Sequence, residues 1–246
     1  MNQPFGSTRD VVKERYALFT PAGFVPSVRP GWSDCVINMV VSPVLGARHL
    51  QTMVTFEADA RGSGNTADAQ LFAYVVEGSC SAALGGKPHS LDQGHFIYLP
   101  PNTAYELSGA AGTRLLLFEK KFEALAGEET PQLFVGNSGD IKGEPFLGNP
   151  KALLQTLLPN VPAFDMAVNI FVYQPGAALP FVETHIMEHG LLMLAGAGIY
   201  RLGDDWYPVQ AGDVIWMGSY CPQWFAAVGN EPASYIYFKD VNRNPL

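Results

Sequence analysis

Cysteine is scarce in this chain of 246 residues. Cys35, Cys80 and Cys221 are three, widely spaced and odd in number, which excludes a disulfide framework and fits a reducing compartment. Basic residues are also few. Fifteen Lys and Arg face 23 Asp and Glu, a formal charge of -8. A nucleic-acid surface needs clustered Lys and Arg, so no nucleic-acid partner is expected. An anionic small substrate is still allowed, because a few local cations or a metal can hold one. The first residues, "MNQPFGSTRDVVKERYALF", are polar and charged, matching neither a signal peptide nor a membrane span. A soluble, cytoplasmic protein with no membrane partner is expected.

Apolar residues are plentiful, at 48%, ample for one large domain or two small ones. The chain also repeats itself. "AYVVEGSCSAALGGKPHSLDQGHFIYLPPNTAYEL" (73–107) aligns without a gap on "LMLAGAGIYRLGDDWYPVQAGDVIWMGSYCPQWFA" (192–226) at a shift of 118–119, depending on how the first residues are set. Gly78 falls on Gly196 and Gly94 on Gly212, 118 positions on in each case. Both copies read as short apolar strands broken by Gly, Pro, Asn and Asp, the pattern of antiparallel sandwiches and barrels. Two copies indicate a duplicated fold rather than a solenoid. The expected division is an N-terminal barrel over 1–120, a linker over 121–160 and a C-terminal barrel over 161–246. Within the linker "NPKALLQTLLP" reads as a short helix, with Asn149 as N-cap and Pro159 as the stop.

Histidine is limited to five residues, and two of them share the stretch "FVETHIMEHG" (181–190) with Glu183. If its start is a strand, Glu183 and His185 point the same way, and His189 heads the next apolar run. An isolated H-x3-H would ordinarily be a pair of hydrogen-bonded surface histidines. The surrounding frame changes that reading. The two-motif pattern resembles the cupins, jelly-roll barrels whose interior holds a metal. In that frame the C-terminal copy reads Glu183-x-His185-x3-His189-x6-Gly196 and then Gly212-x5-Gly218-x4-Gln223. The resemblance implies Glu183, His185, His189 and Gln223 at the ligand positions, with altered identities at three of them.

Two imidazoles, a carboxylate and an amide oxygen suit Mn²⁺ or Fe²⁺ in octahedral geometry. Without Cys ligands a structural zinc site is not expected. A neutral amide in place of an imidazole favours harder ions, so Mn²⁺ ranks first. It binds weakly, and a purified sample can carry another divalent ion. The corresponding N-terminal positions are Asn65, Ala67, Leu71 and Tyr105, a poor donor set, so that half is expected to be metal-free. His49, His89 and His95 fall outside the ligand pattern and read as structural or surface residues.

Tyr200 follows the Gly196–Gly198 turn. Tyr235, Tyr237 and Lys239 alternate along the last strand and share one face. An inward lysine implies a bound anion or proton chemistry, because an unpaired buried ammonium is costly. Arg201 is expected to point outward, and Trp216 and Trp224 either wall the cavity or pack. With "ETHIMEHG", "GIYRLGDDWYPVQAGD", "PQW" and "KDVNRNP", the chain resembles the (S)-ureidoglycine aminohydrolases, bicupin enzymes of allantoin breakdown. "ALFTPAGFV" through "VEG" to "LPP" extends the likeness over nearly the whole chain. The resemblance implies Mn²⁺ on Glu183, His185, His189 and Gln223. It implies Tyr200, Tyr235 and Lys239 around a small ureido substrate, with Lys239 and Glu183 in the chemistry.

The expected fold is therefore all-β, a bicupin of two tandem jelly-roll barrels, and the expected reaction is hydrolytic release of ammonia giving (S)-ureidoglycolate. A homo-oligomer is expected, with the metal-free barrel as scaffold. Two rivals remain at this stage, since one fold hosts many chemistries. One is a cupin dioxygenase or decarboxylase acting on a small carboxylate, whose usual three-His-one-Glu site is absent. The other is a non-catalytic ligand-binding bicupin.

Overall fold

The computed structural model describes residues 8–243. Helix among these residues is confined to three short 3₁₀ turns, Pro21–Gly23, Pro43–Leu45 and Ser138–Asp140. Everything else regular is strand, in curled antiparallel sheets of the jelly-roll kind, the class expected from the sequence. The chain forms two compact units.

The unit that carries residues 168–239 contains an eight-stranded sheet. Its order is Val11–Val12, Tyr16–Phe19, Val214–Met217, His189–Ala195, Ala233–Asp240, Met166–Tyr173, Asn149–Thr156 and Glu144–Phe146. A three-stranded sheet, Asp205–Gln210, Ala197–Leu202 and Gln223–Val228, completes the unit. Strand alternation chooses the inward set. Phe171, Tyr173, Leu191, Met193, Tyr235 and Tyr237 from the large sheet meet Tyr200, Leu202 and Phe225 from the small one in a single core. Phe225 is fully buried, and burying such a ring is worth about 1.5–3 kcal/mol.

In the other unit the sheet runs Phe134–Asn137, His95–Leu99, Ala69–Glu77, Arg114–Lys121, Leu50–Asn65, Ala104–Gly109, Ser79–Leu84 and Lys87–Asp92, with Trp32–Val41 added beside Leu50–Asn65. The 16-residue strand Leu50–Asn65 turns the corner of this barrel. Its first residues pair with Arg114–Lys121 and its last with Ala104–Gly109, and Asp59 between them has a left-handed φ of 58°. The glycines that carry the repeat are conformational requirements. Gly78 and Gly196 have φ of 77° and 69°, Gly94 and Gly212 of 90° and 93°, values that L side chains rarely adopt. A Cβ on Gly196 would also lie 2.5 Å from the Pro232 carbonyl oxygen.

One expectation is corrected. The stretch "NPKALLQTLLP" is not a helix. Its residues Asn149–Thr156 form a strand paired with Glu144–Phe146. The two-residue loop Leu147–Gly148 has positive φ at both positions, 49° and 80°, the geometry of a tight hairpin turn. Asn149 accepts from the Lys151 N–H, but as a local turn rather than a helix cap. Ala152 and Leu154 then face the core at a spacing of two. Residues 8–24 and Gly143–Leu154 join Val168–Lys239, while Gln155–Ala167 and residues 240–243 join Val25–Lys142. The cause is long-range pairing, since Tyr16–Phe19 hydrogen-bonds to Val214–Met217.

Candidate active site

Two pieces of backbone bring the candidate donors together. His189 opens the strand His189–Ala195, which lies between Val214–Met217 and Ala233–Asp240. The loop carrying Glu183 and His185 is stitched to the strand Gln223–Val228 by one isolated bridge, not by a full strand. Glu183 N–H donates to Gln223 O at 2.8 Å, and Gln223 N–H returns to Glu183 O at 2.9 Å. The Tyr220 N–H donates to His185 O at 2.7 Å, which fixes the loop on its other side.

The side chains converge on one point. His185 Nε2 lies 3.1 Å from His189 Nε2 and 3.0 Å from Gln223 Nε2, and the last two are 3.4 Å apart. His185 Nδ1 lies 3.1 Å from the Met187 carbonyl oxygen. That ring nitrogen must carry the proton and donate, so Nε2 presents its lone pair to the cluster. Bonds of about 2.0–2.2 Å to an octahedral cation would place neighbouring donors about 3 Å apart, so these separations fit a metal ion. Rotating the Gln223 amide presents its oxygen in place of its nitrogen. Glu183 stands apart from the imidazoles, since among the described residues no three His, Cys, Asp or Glu side chains form a ligand cluster.

Glu183 and Lys239 face each other electrostatically. Burial raises the Glu183 carboxyl above its ordinary range, and the nearby Lys239 charge opposes that rise. Burial lowers the Lys239 ammonium, and Glu183 opposes that fall. Lys239 pairs across the ladder with His189.

Tyr200 and Tyr235 are both buried in the same core. Burial raises both phenols. Tyr237 lies over the His189 ring, with centroids 5.3 Å apart and planes tilted by 27°, and its hydroxyl bonds to Asn169. Sequence reasoning missed Tyr173, whose hydroxyl lies 3.1 Å from that of Tyr235. The alternation of Asn169, Phe171 and Tyr173 in "MAVNIFVY" was the available signal. Trp216 is buried but lies outside this core, and Trp224 packs against it while its indole donates to Leu179 O at 2.7 Å. Arg201 is partly exposed beside Trp206.

The repeat gives a comparison within the chain. In the other unit Leu71 and Tyr105 are core residues, and Asn65 accepts from the Ala67 N–H in a local turn. Glu119 pairs with Leu71 as Lys239 pairs with His189. There Glu119 holds Arg29 at 2.5 and 3.0 Å, and Arg29 also reaches the Tyr105 hydroxyl at 3.1 Å. A guanidinium thus reaches Tyr105, which stands at the repeat position of Gln223.

The cupin domain model matches residues 169–239. An (S)-ureidoglycine aminohydrolase of Arabidopsis thaliana is 38% identical over 98% of this chain and 80% of that protein. One of Escherichia coli (strain K12) is 34% identical over 97% of this chain and 93% of that protein. The crystal structure of the protein Ylba from E. coli superposes with a TM-score of 0.88 at 31% identity, covering 98% of this chain and 97% of that one. The full-length similarity and the matching fold carry one conclusion: this chain belongs to the (S)-ureidoglycine aminohydrolase family.

Proposed function

We propose that the protein is a metal-dependent hydrolase that converts (S)-ureidoglycine and water to (S)-ureidoglycolate and ammonia, a step of allantoin and purine catabolism. The observation that carries this reading is the convergence of His185, His189 and Gln223 in a chain related over its full length to that family. Glu183 would be the fourth ligand and Mn²⁺ the ion, because a mixed nitrogen and oxygen set with a neutral amide favours a hard cation. The ion would supply a Lewis acid that anchors and orients one enantiomer of the substrate.

The chain's own groups supply the rest. The substrate carbon bears an amine, a ureido nitrogen and a carboxylate, so its amine leaves once it is protonated and the ureido lone pair assists. Lys239 is placed to pair with the carboxylate or to move the leaving group's proton, and its lowered pKa suits the second task. Tyr200 and Tyr235 remain protonated at neutral pH and offer hydrogen bonds to the carboxylate or ureido oxygens. Self-association belongs to the same reading, with the barrel that lacks the donor set as its scaffold. The test is ammonia release from freshly generated ureidoglycine, with and without added Mn²⁺. Oxygen uptake in its place would favour a dioxygenase.

A further inference from the structure

We propose that Tyr173 is a positioning residue that aims the Tyr235 hydroxyl at the substrate. This rests on the reading that Tyr235 holds the substrate. The two hydroxyls are 3.1 Å apart, and the residues are 0% and 3% exposed. No other hydrogen bond to either hydroxyl is found among the described residues. Each phenol owns one proton, so one proton closes the contact between them and the other points away. Both phenols are buried, so if Tyr235 donated to Tyr173 the proton left over on Tyr173 would stay unpaired even with substrate bound, which is unfavourable. If Tyr173 donates to Tyr235, the free proton belongs to Tyr235 and is satisfied when an anionic oxygen arrives. The chain then runs from Tyr173 through Tyr235 to the substrate, and each bond polarises the next.

The aromatic packing holds the donor in place. The Tyr173 ring lies 5.0 Å from Phe225 and 5.2 Å from Phe171, centroid to centroid. Tyr235 lies 5.4 Å from Phe225 and 5.6 Å from Phe171. Two shared aromatic walls leave neither ring room to swing away. Removing the Tyr173 hydroxyl keeps the ring and its packing but frees the Tyr235 O–H to rotate.

The experiment measures kcat and KM for ammonia release in the metal-loaded wild type, Tyr173→Phe, Tyr235→Phe and the double variant, with metal content and melting temperature. Tyr235→Phe is expected to lose about 10- to 100-fold in kcat/KM, the loss of one hydrogen bond to a charged group. Tyr173→Phe is expected to lose about 3- to 30-fold, mainly as a raised KM, with metal content unchanged. The double variant should be no worse than Tyr235→Phe within about twofold, because Tyr173 acts only through Tyr235. A wild-type KM in Tyr173→Phe, or a double variant at the product of the two single losses, would overturn the proposal. Wild-type kinetics in Tyr235→Phe would overturn it as well. A wild-type protein that releases no ammonia would instead indict the function proposed above.

Discussion

Lys239 lies directly across the antiparallel ladder from His189. The pairing makes the lysine's place a property of the sheet, because its neighbour on the next strand is a candidate ligand. Glu183 sits close enough to shift it. The same ladder position in the other unit holds Glu119 opposite Leu71, and there the charge is answered by Arg29.

Lys239→Met should lower kcat/KM for ammonia release by about 30- to 1000-fold, the cost of losing a charged hydrogen-bond partner in a closed site. Metal content should stay at the wild-type level. Methionine keeps the bulk of the stem, so melting should change little. Near-full turnover with metal bound would remove Lys239, and the face assigned to its strand, from the chemistry.

His185→Ala should abolish both metal binding and activity while leaving the fold intact. The core of its unit is built from Phe171, Tyr173, Leu191, Phe225 and their neighbours rather than from an ion, unlike a zinc finger. Elemental analysis and circular dichroism check the two halves of this statement. A variant that loses its β spectrum would make the ion structural.

Alkaline titration should be resisted and then cooperative. Eight tyrosines, Tyr16, Tyr74, Tyr98, Tyr105, Tyr173, Tyr200, Tyr235 and Tyr237, have pKa values raised by burial. The folded state therefore holds these protons more tightly than the unfolded chain, whose phenols titrate near 10. Their contribution is intact below about pH 10 and is lost as pH rises above it. The ultraviolet phenolate band should appear together with loss of the fold. Eight phenolates forming at pH 10 in folded protein would contradict this.

Asp165→Ala should destabilise the protein by about 3–5 kcal/mol. Asp165 is fully buried, lies 2.5 Å from the equally enclosed Lys120 Nζ, and accepts from the Gln70 amide and from the Glu123 N–H at 2.9 Å. Its loss strands an ammonium with only the exposed Glu123 and a carbonyl beside it. Urea unfolding measures the change.

The sequence made some of this visible and hid the rest, for physical reasons. The repeat was legible because Gly78, Gly94, Gly196 and Gly212 answer to local backbone geometry. His185, His189 and Gln223 were legible because the family frame fixes their spacing. The strand Asn149–Thr156 was not, because Leu-rich "ALLQTLL" favours helix locally and the Leu147–Gly148 turn overrules it. The pairing of Tyr16–Phe19 with Val214–Met217 spans some 200 residues and leaves no short-range mark. Tyr173 was hidden for a different reason. A buried tyrosine in a strand usually packs, and its hydroxyl contact to Tyr235 exists only in three dimensions.

The most direct test of the account is the rate of ammonia release from freshly generated (S)-ureidoglycine by the Mn²⁺-loaded protein, set against the spontaneous rate. The account predicts ammonia and (S)-ureidoglycolate in equal amounts, formed far above the spontaneous rate and abolished when the ion is chelated. Ammonia at no more than the spontaneous rate, from folded protein with its ion bound, would contradict it.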